Sequence, residues 1–142
     1  MIRVLIADDH DFVRSVISDL LTATDDIQVV AESPDGRDAV EKAALTRPHV
    51  ALMDLAMPRM DGLQATRALQ AAQPDVRVIV LTASLTVTAV RTARALRVCG
   101  FLVKGDDDGD ALPGHIRAVA GGGSAWSPRA ARLAAPARGS AQ

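Results

Sequence analysis

The chain has 142 residues, 49% of them apolar, with three aromatic side chains (Phe12, Phe101 and Trp126) and a formal net charge of −1. That length suits one domain with a core of aliphatic side chains, and the composition excludes disorder over most of the chain. No apolar run approaches the roughly 18 residues needed to cross a bilayer, and Ile2–Ala7 leads straight into acids without the zones of a signal peptide, so a cytoplasmic location with no membrane partner is expected.

Short runs rich in Val, Ile and Leu alternate with helical patterns. The first, Ile2–Ala7, reads as a strand, and Phe12, Val13, Val16, Ile17, Leu20 and Leu21 mark the helix after it. Ile27–Ala31 is the second strand, followed by a helix marked by Ala39, Val40, Ala43 and Ala44. His49–Asp54 is the third, followed by Leu63, Ala65, Thr66 and Leu69 at helical spacing. Val76–Leu81 and a helix over Thr86–Leu96 come next, then Gly100–Val103 and a helix over Ala111–Ala120. Asp11 and Asp35 stand at N-cap positions, and Pro48 and Pro74 stop helices before the next strand. Five strand–helix units predict an α/β fold: a doubly wound, five-stranded parallel sheet with helices on both faces.

The tail opens on Gly121-Gly122-Gly123. It runs through Ser127-Pro128, a cap and first helical residue, into an Ala/Arg-rich segment, and residues 136–142 read as disordered. Residues 121–142 are expected to be a linker rather than a second domain. Residues 1–120 hold 17 acids against 13 bases, hence −4, whereas the tail holds Arg129, Arg132, Arg138 and no acid. An acidic body argues against nucleic-acid binding by this domain. Cys99, the single cysteine, has no internal disulfide partner and reads as a small buried hydrophobe.

In doubly wound sheets the ligand site lies at the carboxyl ends of the strands. There this sequence puts Asp8 and Asp9 after strand one, Asp54 after strand three, Thr82 after strand four and Lys104 after strand five. Clustered carboxylates repel unless a cation is present, and hard oxygen ligands suit Mg²⁺. Asp9 and Asp54 are expected to ligate it, with Asp8 acting more distantly. A carboxylate is also a nucleophile toward phosphorus, and phosphoryl transfer needs chiefly alignment and charge neutralisation. Asp54 is the candidate acceptor, Lys104 the cation for one phosphoryl oxygen and Thr82 the hydroxyl donor for another. Only two bases of sixteen are lysine, so a compact ammonium at 104 has a particular use. Taken singly, each acid is an ordinary cap or loop residue; the joint pattern carries the reading. His10, His49 and His115 lack metal-ligand spacing.

Four stretches resemble bacterial response-regulator receiver domains, the phosphoacceptor half of two-component systems, over about residues 1–120. They are Val4-Leu5-Ile6-Ala7-Asp8-Asp9-His10, Met53-Asp54-Leu55-Ala56-Met57-Pro58-Arg59-Met60-Asp61-Gly62, Leu81-Thr82-Ala83 and Gly100-Phe101-Leu102-Val103-Lys104. The Asp8-Asp9-His10 and Ser127-Pro128 segments look like the NarL/FixJ subgroup. The resemblance implies the flavodoxin-like strand order 2-1-3-4-5 and phosphorylation of Asp54 by a sensor histidine kinase or a small phosphodonor. It also implies Mg²⁺ as cofactor with the Ala56 carbonyl as a further ligand, a Thr82–Phe101 switch, and a loop shaped by Pro58 and Gly62. Its partners would be that kinase, a second copy on phosphorylation, and DNA only through an output domain absent from these residues. The chain departs from the subgroup at Arg97-Val98, where Gly-Ala is usual, and at Ser84-Leu85-Thr86-Val87-Thr88, where acids are usual. A stand-alone receiver acting by phosphotransfer or protein binding is the alternative. An aspartyl-nucleophile hydrolase is a further class, but Ala56 stands where its second acid belongs. Asp106 to Asp108 are expected to form a solvated loop.

Overall fold

In a computed structural model of the chain, which describes residues 1–106 and 109–135, the strand–helix alternation is realised in full. The elements are β1 (Ile2–Ala7), α1 (Asp11–Thr22), β2 (Ile27–Ser33), α2 (Gly36–Thr46), β3 (Val50–Met53), α3 (Gly62–Ala72), β4 (Arg77–Thr82), α4 (Val87–Ala95), β5 (Gly100–Val103), a 3₁₀ turn (Gly109–Ala111), α5 (Leu112–Ala120), β6 (Ala125–Trp126) and α6 (Pro128–Ala134). The sheet is parallel, in the order β2-β1-β3-β4-β5-β6.

Strand side chains alternate between two cores, as period-two geometry demands. Val4, Ile6, Val50, Leu52, Ile79 and Leu102 face Ile17 and Leu21 of α1 and Leu112, Ile116 and Val119 of α5. Leu5, Ala7, Ala51, Met53, Val78, Val80, Phe101 and Val103 face α2, α3, α4 and α6. Both faces of the sheet are therefore dry, which explains strands that read as continuous apolar runs.

The five-strand expectation falls one short. Ala125 N–H donates to Cys99 O at 3.0 Å and Ser127 N–H to Phe101 O at 2.9 Å, which adds β6 to the edge of β5. Two residues are too few to show alternation, and their partner strand is known only once the sheet edge is known. Ser127 caps α6 as expected, its Oγ accepting from Ala130 N–H at 3.3 Å, with Pro128 as first helical residue. Residues 136–142, read as disordered, lie outside the described residues.

Caps sort differently from expectation at one helix. Asp35 caps α2, accepting from Asp38 N–H at 2.8 Å. At α1 the cap position belongs to His10, and Asp11 lies within the first turn, where its charge favours the N-terminal end of the helix dipole. Cys99 is half-buried against the α1/α5 core.

Candidate functional site at the carboxyl rim of the sheet

Asp8, Asp54 and Lys104 leave the sheet where their strands end, and Thr82 is the last residue of β4. Asp8 follows β1, and its backbone N–H is tied to Ser33 O at 3.0 Å. Asp54 follows β3, with its N–H on Ala7 O at 2.9 Å, so the two acids are fixed by neighbouring strands. Lys104 follows β5, with its N–H on Thr82 O at 2.7 Å, which fixes the last two members of the set to each other. The rim is thus assembled by the ladder itself and needs no mobile loop to bring its members together.

The side chains converge. Lys104 Nζ lies 2.6 Å from Asp8 Oδ2 and 3.8 Å from Asp54 Oδ2. Asp8 and Asp54 are almost fully buried, at 2% and 6% exposure, whereas Asp9 is more open. Ligand atoms of Asp8, Asp9, His10 and Asp54 all lie within 4.8 Å of one another. Burial raises the Asp54 carboxyl above its ordinary range; Lys104 opposes this, and the negative charges of Asp8 and Asp9 add to it. Such a cluster of hard oxygen donors, costly to ionise alone, fits a small divalent cation.

Sequence spacing passed over His10. Its N–H donates to Asp8 Oδ1 at 2.9 Å and its ring Nδ1 lies 3.1 Å from Asp9 Oδ1, so it sits at the acid cluster's open side. The signal for it was adjacency alone. His49 is elsewhere, its Nδ1 accepting from Arg3 N–H at 2.9 Å.

Thr82 is buried, and its hydroxyl oxygen accepts from Ser84 N–H at 3.1 Å. Phe101 is fully buried, and its ring stacks on Trp126 with centroids 5.9 Å apart and planes at 19°. The loop after Asp54 is held at two points. Gly62 N–H donates to Leu55 O at 3.0 Å, and Arg59 places Nε and Nη2 at 2.9 and 2.6 Å from Asp35 Oδ2. The Asp38 N–H, followed by the Arg59 guanidinium, holds the Asp35 carboxyl below the ordinary range. This clamp was not legible in the sequence, because its partners are 24 residues apart. Asp106, expected in a solvated loop, is exposed but engaged: Arg129 Nε and Nη2 lie 2.8 and 2.6 Å from its two carboxylate oxygens. Asp107 and Asp108 lie outside the described residues.

A parallel, doubly wound sheet thus carries three carboxylates and a lysine on its carboxyl rim. The chain matches the response regulator receiver domain family over residues 4–112, and it belongs to that family. Among curated relatives, the response regulator GacA of Pseudomonas viridiflava is 45% identical over 82 residues, covering 58% of this chain and 38% of that protein. The transcriptional regulatory protein DegU of Brevibacillus brevis is 36% identical over 128 residues, covering 90% of this chain and 54% of that protein. The chain thus spans about half or less of these relatives' lengths. Among solved structures, a LuxR-family two-component response regulator from Aurantimonas sp. SI85-9A1 superposes with a TM-score of 0.86 at 28% identity, covering 93% of this chain and 94% of that one. The isolated REC domain of RcsB from Salmonella enterica serovar Typhimurium, solved with the phosphomimetic BeF3⁻, gives 0.83 at 26% identity, covering 93% and 97%. Its relatives include a transcriptional regulatory protein. No described helix is long and apolar enough to cross a membrane.

Proposed function

We propose that Asp54 accepts a phosphoryl group from a sensor histidine kinase. The observation that carries this reading is that Asp8, Asp9 and Asp54 bring ligand atoms within 4.8 Å of one another, with Lys104 within 3.8 Å of two of them. An Asp54 carboxylate oxygen attacks phosphorus while the phosphorus–nitrogen bond of the donor phosphohistidine breaks and its electron pair returns to the imidazole nitrogen. The product is an acyl phosphate. Lys104 binds one phosphoryl oxygen as a point charge and Thr82 donates its hydroxyl to another. Asp8, Asp9, Asp54 and the backbone carbonyl of Ala56 would hold Mg²⁺, which would supply neutralisation of charge at the transferring group. Thr82 and Phe101 form the switch: the hydroxyl leaves Ser84 for the phosphoryl group, and the packing around the ring changes with it.

Residues 1–120 are the receiver unit in this reading, and residues 121–142 connect it to an output domain that would contact DNA. DegU bears the name of a transcriptional regulator, and RcsB dimers have been solved on DNA. Dimerisation on phosphorylation and a cytoplasmic location belong to the same proposal. Intact-mass measurement after incubation with acetyl phosphate and Mg²⁺ tests it. Wild type gains one phosphoryl group and Asp54→Asn gains none; a label that persists in the variant removes Asp54 from the role.

A further inference from the structure

The tail is seated on the switch. Trp126 stacks on Phe101, and Ser127 N–H donates to Phe101 O. Ala130 and Ala134 of α6 are buried, with Leu133 beside them, in the same core as Val90 and Ala93 of α4. Arg129 grips Asp106 with two hydrogen bonds, and Asp106 is only two residues beyond Lys104. At Gly100 a Cβ would lie 2.5 Å from Ala125 O, so β6 approaches β5 as closely as a glycine permits. Three attachments of one short arm therefore rest on β5, α4 and the turn that carries Lys104.

Those supports adjoin the groups on which a charge at Asp54 would act. Lys104 is bonded to Asp8 at 2.6 Å and stands 3.8 Å from Asp54. A phosphoryl group brings a charge of about −1.5 to −2 and draws the ammonium from one to the other, pulling on the turn that ends at Asp106. Thr82, whose backbone carbonyl accepts from Lys104 N–H, also braces the loop leading to α4 through Ser84. If the three supports shifted differently, an arm held on all of them would lose its register on at least one.

We propose that residues 121–135 form an arm that covers the α4–β5 face in the unmodified protein and is loosened when Asp54 is phosphorylated, with Trp126 and Arg129 as the contacts that sense the change. The inference rests on the phosphoacceptor reading above. Coupling of this kind is reciprocal: if phosphorylation weakens arm seating, the seated arm opposes phosphorylation by the same factor.

Trp126 is the only tryptophan, so its emission reports on the arm in the complete 142-residue chain. Emission, acrylamide quenching and intact mass are followed together, with Mg²⁺ alone and with Mg²⁺ plus acetyl phosphate. Phosphoryl incorporation should bring a red shift and severalfold greater quenching, and Asp54→Asn should show neither. Incorporation with unchanged or blue-shifted emission overturns the arm proposal and leaves the acceptor reading standing. Absence of incorporation in wild type overturns both. Arg129→Glu should loosen the arm without phosphodonor and raise the extent of phosphorylation, and Asp106→Arg combined with Arg129→Glu should restore both. A loosened arm with wild-type phosphorylation in Arg129→Glu contradicts the coupling.

Discussion

Asp54 is a carboxylate held where ionisation is costly. It is 6% exposed, and its carboxyl is pushed up by burial against the partial relief of Lys104. Folded protein therefore holds the Asp54 proton more tightly than unfolded chain. In the absence of divalent metal this destabilises the fold as pH rises through the raised value, and the penalty vanishes once pH falls below the ordinary carboxylate range. Asp54→Asn should raise the melting temperature in EDTA at neutral pH and flatten its pH dependence, each kcal/mol of relief appearing as roughly 3–5 °C in a domain of this size. Mg²⁺ acts in the opposite sense. Its binding needs the ionised carboxylate, so stabilisation by Mg²⁺ should fade as pH drops through the same value and be largely lost in Asp54→Asn. Melting curves in EDTA and in Mg²⁺ across pH 4–8, a window set by the upward direction of the shift, read both effects.

At the scale of elements, the β3–α3 connection joins stability to the site. Asp61 closes a capping box on α3, accepting from Leu63 and Gln64 N–H at 2.9 Å each, while Gln64 Oε1 accepts from Asp61 N–H at 3.0 Å. Asp61→Ala should cost about 1 kcal/mol of stability and leave labelling of Asp54 nearly unchanged. The next residue behaves otherwise. A Cβ on Gly62 would lie 2.1 Å from the backbone oxygen of Asp54, so Gly62→Ala must displace the acceptor's own peptide. Phosphorylation should then slow by more than tenfold, beyond what the stability loss explains, because misplacement of about 1 Å is costly in transfer chemistry. Rates of label incorporation compared with melting temperatures in the two variants separate capping from positioning. Arg97 is a different local case. It takes a left-handed backbone with φ +59°, a conformation that costs a side-chain-bearing residue about 1–2 kcal/mol. That is the position where the family resemblance leads one to expect glycine.

Over the whole molecule, the sheet carries its site at one end and its arm along one edge. Gly100 lies in β5 beside β6, at the start of the strand, and a Cβ there meets Ala125 O at 2.5 Å. Gly100→Ala should lift β6 while sparing the acid cluster, which predicts red-shifted Trp126 emission with unchanged Mg²⁺ affinity. Fluorescence with a Mg²⁺ titration of thermal stability checks the pair of outcomes. Ile116 is the contrasting position, fully buried where α5 meets the sheet. Ile116→Ala should cost about 2–5 kcal/mol, a large part of the 5–15 typical of a domain, and lower the melting temperature without selecting the arm or the site.

Most of this was already present in the residues. Alternation of five apolar runs with helical spacing, and acids, threonine and lysine at the run ends, follow from local rules of burial and from where a strand must stop. Chain order alone therefore brought Asp8, Asp54, Thr82 and Lys104 to one rim. What the order could not supply was distance between segments: that Lys104 rests on Asp8 rather than Asp54, that Arg59 clamps Asp35, that Trp126 lies flat on Phe101 and that two residues beyond a glycine run make a sixth strand. A side chain's partner across tens of residues is chosen by packing and charge only after the sheet is built, and no local periodicity records that choice.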